Sequence, residues 1–198
     1  RFSMDELKDL DALLPGRRLD RLAGRLAAKR ALTEHFSVEE GWQAEPQELE
    51  IFNDAAGRPI LRLQAGAAAQ APSFSIAHCA EGGAAAVAAP GRRVGVDIET
   101  VVARPAEVIA FVAATGEDRE AGPDDPEAQA RLWTGKEAAL KLFGLGLDAD
   151  AKAVRLGPEG AAFTGRPAQA WRDLGSPRVR LTYARVAGAL LAVAFTGD

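Results

Sequence analysis

The sequence predicts an α+β protein of two similar, pseudo-twofold lobes, each a helical part packed on a small antiparallel sheet, with the active site in the cleft between them. Three observations carry this. Strong helical periodicity appears in each half, at residues 17–36 and again at 126–143. Short apolar or β-branched runs bounded by Gly, Pro, Asn and Asp follow the helices in both halves. The same order, helices then strands, therefore occurs twice and sets the boundary near residue 95, with lobes at 1–94 and 95–198. No residue-level self-match accompanies it, so the internal duplication rests on layout.

In chain order, residues 3–14 open with Ser3 and Glu6 as a capping box, with Leu7, Leu10 and Leu14 as the apolar positions. Pro15-Gly16 ends that helix. The 17–36 helix carries an apolar stripe of Leu19, Leu22, Ala23, Leu26 and Ala27. Arg18, Arg21, Arg25 and Lys29 form a separate basic stripe with no carboxylate at matching spacing, which a bound anion would relieve. Strands are expected at 48–52 and 60–63 around the NDAAGRP turn. A three-stranded antiparallel meander follows from 73–78, 84–89 and 94–99, the first two joined at Gly82-Gly83. Residues 64–72 and 116–125 read as loops, and 106–114 as a helix. Pro126 at N1 and Gly144 as the stop frame the clearest helix. Strands at 153–156, 161–164, 179–185 and 190–196 complete the chain.

Composition narrows the function classes. A net charge of −4 disfavours general nucleic-acid binding. The single Cys79 excludes an internal disulfide and Cys-based zinc, and fits a reducing, cytoplasmic setting. The apolar run 186–195 is too short to span a bilayer, so no membrane association is expected. The chain begins with Arg1 rather than Met, which leaves room for a processed chain or a domain of a larger one.

Chemistry gathers in two stretches. In VGVDIE at 94–99, a strand points Asp97 and Glu99 to one face and Val96 and Ile98 to the other, so the acidic face is expected to be partly open. In WTGKEAALK at 133–141, Glu137 and Lys141 share a helix face. Singly, each has an ordinary structural explanation: an acidic strand edge and a helix ion pair. Trp133 reads equally as core, His78 as a structural strand histidine, and Arg58 as an exposed turn arginine. Jointly, three carboxylates with Lys141, His78 and Arg58 suit a divalent cation on a phosphorylated substrate.

GRP at 57–59, FSIAHC at 74–79, GVDIE at 95–99 and WTGKEAALK at 133–141 occur in the order and approximate spacing of the two-lobed, surfactin-synthetase-activating class of 4′-phosphopantetheinyl transferases, which this sequence resembles. The resemblance implies an enzyme that moves the phosphopantetheine arm of coenzyme A to a serine of an acyl or peptidyl carrier protein, releasing 3′,5′-ADP. It implies Mg²⁺ held by Asp97, Glu99 and Glu137, with Glu137 a further ligand or general base and Lys141 stabilising phosphate charge. Arg58 and His78 would hold CoA phosphates, and Arg21 and Lys29 would lie near the 3′-phosphate. Roles for Arg18, Arg25, Glu117 and Asp118 stay open. Ala77 stands where many members carry a hydroxyl, and Lys29 where an arginine is frequent. The carrier would dock beside the cleft, near exposed cations and the loop around Leu145 and Leu147.

Two other classes compete. A non-catalytic CoA- or carrier-binding lobe of a larger protein would not need Asp97, Glu99, Glu137 and Lys141 together. A nucleotide pyrophosphohydrolase would need an acid-rich helical cluster that the sequence lacks.

Overall fold

The computed structural model describes residues 2–63, 71–146, 150–158 and 160–197. Helix α1 (Met4–Asp11) begins with the expected capping box: Ser3 Oγ accepts from Glu6 N–H while Glu6 accepts from Ser3 N–H. The helix stops at Asp11, before the expected end at Leu14, so Pro15 does not end it. It is the first residue of α2 (Pro15–Glu39), where its missing N–H is no loss. Strands β1 (Leu49–Asn53) and β2 (Pro59–Leu63) pair antiparallel around the Asn53–Arg58 turn. β3 (Ser73–Cys79) and β4 (Gly82–Ala88) form the second hairpin.

The buried face of α2 differs from the expected one. Leu19 and Leu26 are exposed, while Gly24, Arg25, Ala28, Lys29, Leu32 and Phe36 face inward. The reason is α1, which brings an acid to three of the four cations of the stripe that sequence spacing left alone. Asp11 meets Arg18 at 2.7 Å, Asp9 meets Arg25 at 2.6 Å, and Glu6 meets Lys29 at 2.8 Å. Arg21 takes Asn53 Oδ1 instead. Beneath them, Ala28, Leu32, Phe36, Leu49 and Ile51 make one core cluster.

β5 (Val94–Thr100) does not extend the β3–β4 hairpin into a meander. It runs beside β3, where Val96 N–H donates to Ser75 Oγ at 3.1 Å in place of a ladder bond. Its ladder partner is the last strand, β9 (Ala189–Gly197), with Asp97 opposite Ala192, and β9 pairs on its far side with β8 (Arg178–Val186). Ala192 and Ala194 are small, which leaves α5 (Pro126–Leu142) room to lie across both β5 and β9.

Between β5 and α5 the chain forms α3 (Ala106–Val112) and α4 (Glu117–Ala121); the latter lies in the stretch expected to be loop. After α5 come β6 (Val154–Leu156), β7 (Ala161–Phe163) and an unexpected helix, α6 (Gly165–Asp173). The fold is α+β, with helices on small antiparallel sheets. Among the described residues no helix is long and apolar enough to cross a membrane.

Candidate active site

Close approach of α5 to β5 builds the site. A Cβ on Gly95 would lie 2.0 Å from the Ala138 carbonyl oxygen and 2.5 Å from Leu142 N, so only glycine lets the helix backbone seat there. Alternation along the strand then aims Asp97, two residues on, at the same helix, while Val96 and Ile98 pack toward the β3–β4 hairpin with Ala77 and Ala189. One turn of α5 separates Glu137 from Lys141, and Lys141 Nζ donates to Asp97 Oδ1 at 2.7 Å.

The acidic face of β5 is not partly open at Asp97, as alternation alone implied. Asp97 is 5% exposed and Glu137 7%. Each has one buried oxygen, Asp97 Oδ2 and Glu137 Oε1, with no hydrogen-bond partner. Burial pushes the Asp97 carboxyl up to about 6 against the pull of Lys141, with Glu99 adding to the rise. Burial likewise pushes Glu137 up to about 7, opposed by Lys141 and reinforced by the charges of Asp97 and Glu99. Buried oxygens without donors in a net-acidic pair are costly in a purely structural site. They are what a cation or a donating substrate would satisfy.

Glu99 is committed elsewhere: its Oε2 accepts from Arg104 Nη2 at 2.9 Å. Accordingly, among the described residues no three carboxylate, histidine or cysteine side chains already converge as a metal-ligand set. Asp97 and Glu137 nonetheless offer two unpartnered hard oxygens, the donor type that Mg²⁺ prefers. These two residues fit such an ion.

Lys141 also lines a cleft of about 490 Å³, a size suited to a small-molecule ligand. The cleft draws on both halves of the chain: the Asp54–Leu61 turn, Ser73–Ile76 of β3, Arg93 and Val94, and the end of α5 through Gly146. Arg58 sits at its wall, held by Asp54 at 2.7 Å and laid against Gly144, where a Cβ would meet its Cδ at 2.7 Å. Leu145 is on the rim, whereas Leu147 lies outside the described residues.

The remaining expected phosphate contacts are more dispersed. Arg21 reaches the cleft turn indirectly, through Asn53, whose amide donates to the Gly57 carbonyl. Lys29 is 2% exposed, and its ammonium is shared among Glu6 and the carbonyls of Pro46 and Leu49. Burial pushes its pKa down, with Glu6 opposing. Arg25 is equally buried on Asp9. Arg18 lies at the exposed start of α2 on Asp11. His78 is exposed at the end of β3, opposite Gly83, and is not among the cleft-lining residues.

Several neighbours of the site were not assigned from the sequence. Arg104 lies outside every motif, yet it holds Glu99 and stands 5.9 Å over the Trp133 ring. Ser75 is the hydroxyl that joins β3 to β5, two residues before the Ala77 position. Of the two acids left open, Glu117 is buried on Lys136 at 2.6 Å and also accepts from Ala114 and Leu156 N–H, so it anchors α4 beneath α5. The signal for it was Lys136 inside an otherwise apolar helix face. Asp118 is exposed.

Residues 93–177, which contain Asp97, Glu99, Glu137 and Lys141, match the model of the 4′-phosphopantetheinyl transferase superfamily. No curated protein matches the chain. Among solved structures, a holo-ACP synthase from Plasmodium yoelii is 16% identical, with 52% of this chain and 92% of that one covered and a TM-score of 0.43. The holo-[acyl-carrier-protein] synthase of Neisseria meningitidis is 17% identical over 54% of this chain and 98% of its own, TM-score 0.40. An ACPS–CoA complex from Chronobacterium ammoniagenes is 19% identical over 54% and 98%, TM-score 0.44. From β5 to just beyond α6, this chain is thus similar to the 4′-phosphopantetheinyl transferase superfamily.

Proposed function

We propose that this chain transfers the 4′-phosphopantetheine arm of coenzyme A to a serine of an acyl or peptidyl carrier protein, releasing 3′,5′-ADP. One observation carries the reading: inside the stretch that matches the transferase superfamily, Asp97 and Glu137 keep unpartnered buried oxygens beside Lys141, which itself lines a cleft carrying Arg58 and Arg93. The two-lobe division at 94/95 belongs to the same proposal, supported by a cleft lined from both sides of that point.

The chemistry follows from the side chains. Arg58, Arg93 and Lys141 give the cleft positive charge for a nucleotide with a diphosphate, while Phe74, Phe143 and Leu145 give it apolar wall. The serine hydroxyl attacks the phosphorus bearing pantetheine. A new P–O bond forms, the P–O bond to the adenylate side breaks, and the departing oxygen leaves on 3′,5′-ADP. Acting as base rather than ligand, Glu137 takes the serine proton in its ionised form, and burial raises its carboxyl to about 7, which suits proton transfer near neutral pH. Lys141 moves from Asp97 toward the phosphate charge that grows on the leaving group. Mg²⁺ held by Asp97 and Glu99, with Glu137 as the further ligand where it does not serve as base, would neutralise the diphosphate and make its phosphorus more electrophilic. A cytoplasmic setting goes with this reading and with the lone Cys79.

The test is product formation. With CoA and Mg²⁺, 3′,5′-ADP should appear only when an apo carrier is added. Release of 3′,5′-ADP without a carrier would instead indicate CoA hydrolysis, and CoA binding without release would indicate a binding lobe.

A further inference from the structure

Arg104 is the best-placed residue near the site that the proposed reaction does not use. Its side chain is 10% exposed, and its Nη2 donates to Glu99 Oε2 at 2.9 Å. The other guanidinium contacts are long, 3.4 Å to each of the Thr100 and Val102 carbonyls. The Trp133 ring lies 5.9 Å away, so the ion pair is the shortest and strongest of the side chain's contacts. Its backbone is anchored separately. Arg104 N–H donates to Gln129 Oε1 at 2.8 Å, and the Gln129 amide is itself fixed by the Gly122 and Pro123 carbonyls. The guanidinium thus sits on a long stem whose root is tied to α5, and it can leave Glu99 without disturbing the connector.

We propose that Arg104 is an internal cation latch: in the free protein its guanidinium occupies Glu99, competes with a divalent cation for that carboxylate, and must swing away before Glu99 can become a third ligand. The inference rests on the reading of Asp97, Glu99 and Glu137 as metal ligands. Its physical basis is that a guanidinium and a divalent cation seek the same carboxylate and repel each other there. The latch accounts for the missing third ligand among the described residues. It also makes Arg104 the residue that sets how poorly the protein holds metal alone. A bound diphosphate, adding ligands of its own to the ion, would tip the competition.

The test uses Mn²⁺ as probe and the full chain without CoA, with binding read by calorimetry and by the spin-resonance signal of free Mn²⁺. Arg104→Gln should bind Mn²⁺ about tenfold tighter than the parent, since losing one charge-assisted hydrogen bond of this half-buried kind changes a competing equilibrium by roughly that factor. Glu99→Gln should remove the gain in the double variant. Arg104→Lys, which keeps the charge without the fork, should fall between, and it serves if Arg104→Gln does not fold. Unchanged Mn²⁺ affinity in the Arg104 variants, with weakened affinity in Glu99→Gln, would overturn the latch and leave the ligand reading standing. Mn²⁺ affinity insensitive to both Glu99→Gln and Asp97→Asn would overturn the ligand reading and the latch with it.

Discussion

Replacing Glu137 by glutamine should make the ligand-free protein more stable while it abolishes transfer. A carboxyl whose folded pKa is raised binds more protons in the native state than in the unfolded chain between the two values. Stability therefore falls as pH rises from the ordinary value of 4.5 to the folded value of about 7, and is level above that. At about 1.4 kcal/mol per pH unit, the ionised Glu137 costs roughly 3 kcal/mol of stability above pH 7. Glutamine keeps the shape and cannot ionise. It also removes a negative charge that repels Asp97. Urea denaturation should then show Glu137→Gln more stable than the parent by roughly 2–3 kcal/mol at pH 8, with the difference vanishing near pH 4.5. CoA binding should persist, because the change removes basicity more than volume. A variant no more stable than the parent at pH 8 would refute the electrostatic picture, and near-normal transfer would refute the base or ligand role.

Arg21→Ala should weaken CoA about tenfold while weakening dephospho-CoA less, the scale of one lost charge-assisted contact; equal effects in a calorimetric titration would refute the 3′-phosphate assignment. Gly95→Ala should destabilise the fold by about 3 kcal/mol or more in urea melts, because its Cβ meets helix backbone rather than a movable side chain. A change under about 1 kcal/mol would mean that α5 can lift from β5 freely, at odds with ordinary overpacking costs.

How much of this was legible depends on the range of the physics involved. The side-chain periods of strand and helix fix Asp97 to one face of β5 and Glu137 and Lys141 to one face of α5, so local spacing was enough. Burial was not. Asp97 is enclosed because β9, nearly a hundred residues away, supplies Ala192 and Ala194, and because Gly95 admits the helix. The basic stripe of α2 misled for the same reason: its acids stand on α1, and no spacing rule within one helix can show a partner on another. Helix α6 was hidden by Gly165 and Pro167, which read as loop residues yet sit in its first turn, where proline is tolerated. Arg104 belongs to a connector, and connectors carry no period to read.

The central claim is tested most directly by intact-mass analysis of apo acyl and peptidyl carrier proteins incubated with the full chain, CoA and Mg²⁺. The account predicts a carrier heavier by one phosphopantetheine group, bound at a serine, with no such product from Glu137→Gln or when Mg²⁺ is chelated. Carriers of unchanged mass across the panel, under conditions where the chain binds CoA, would contradict it.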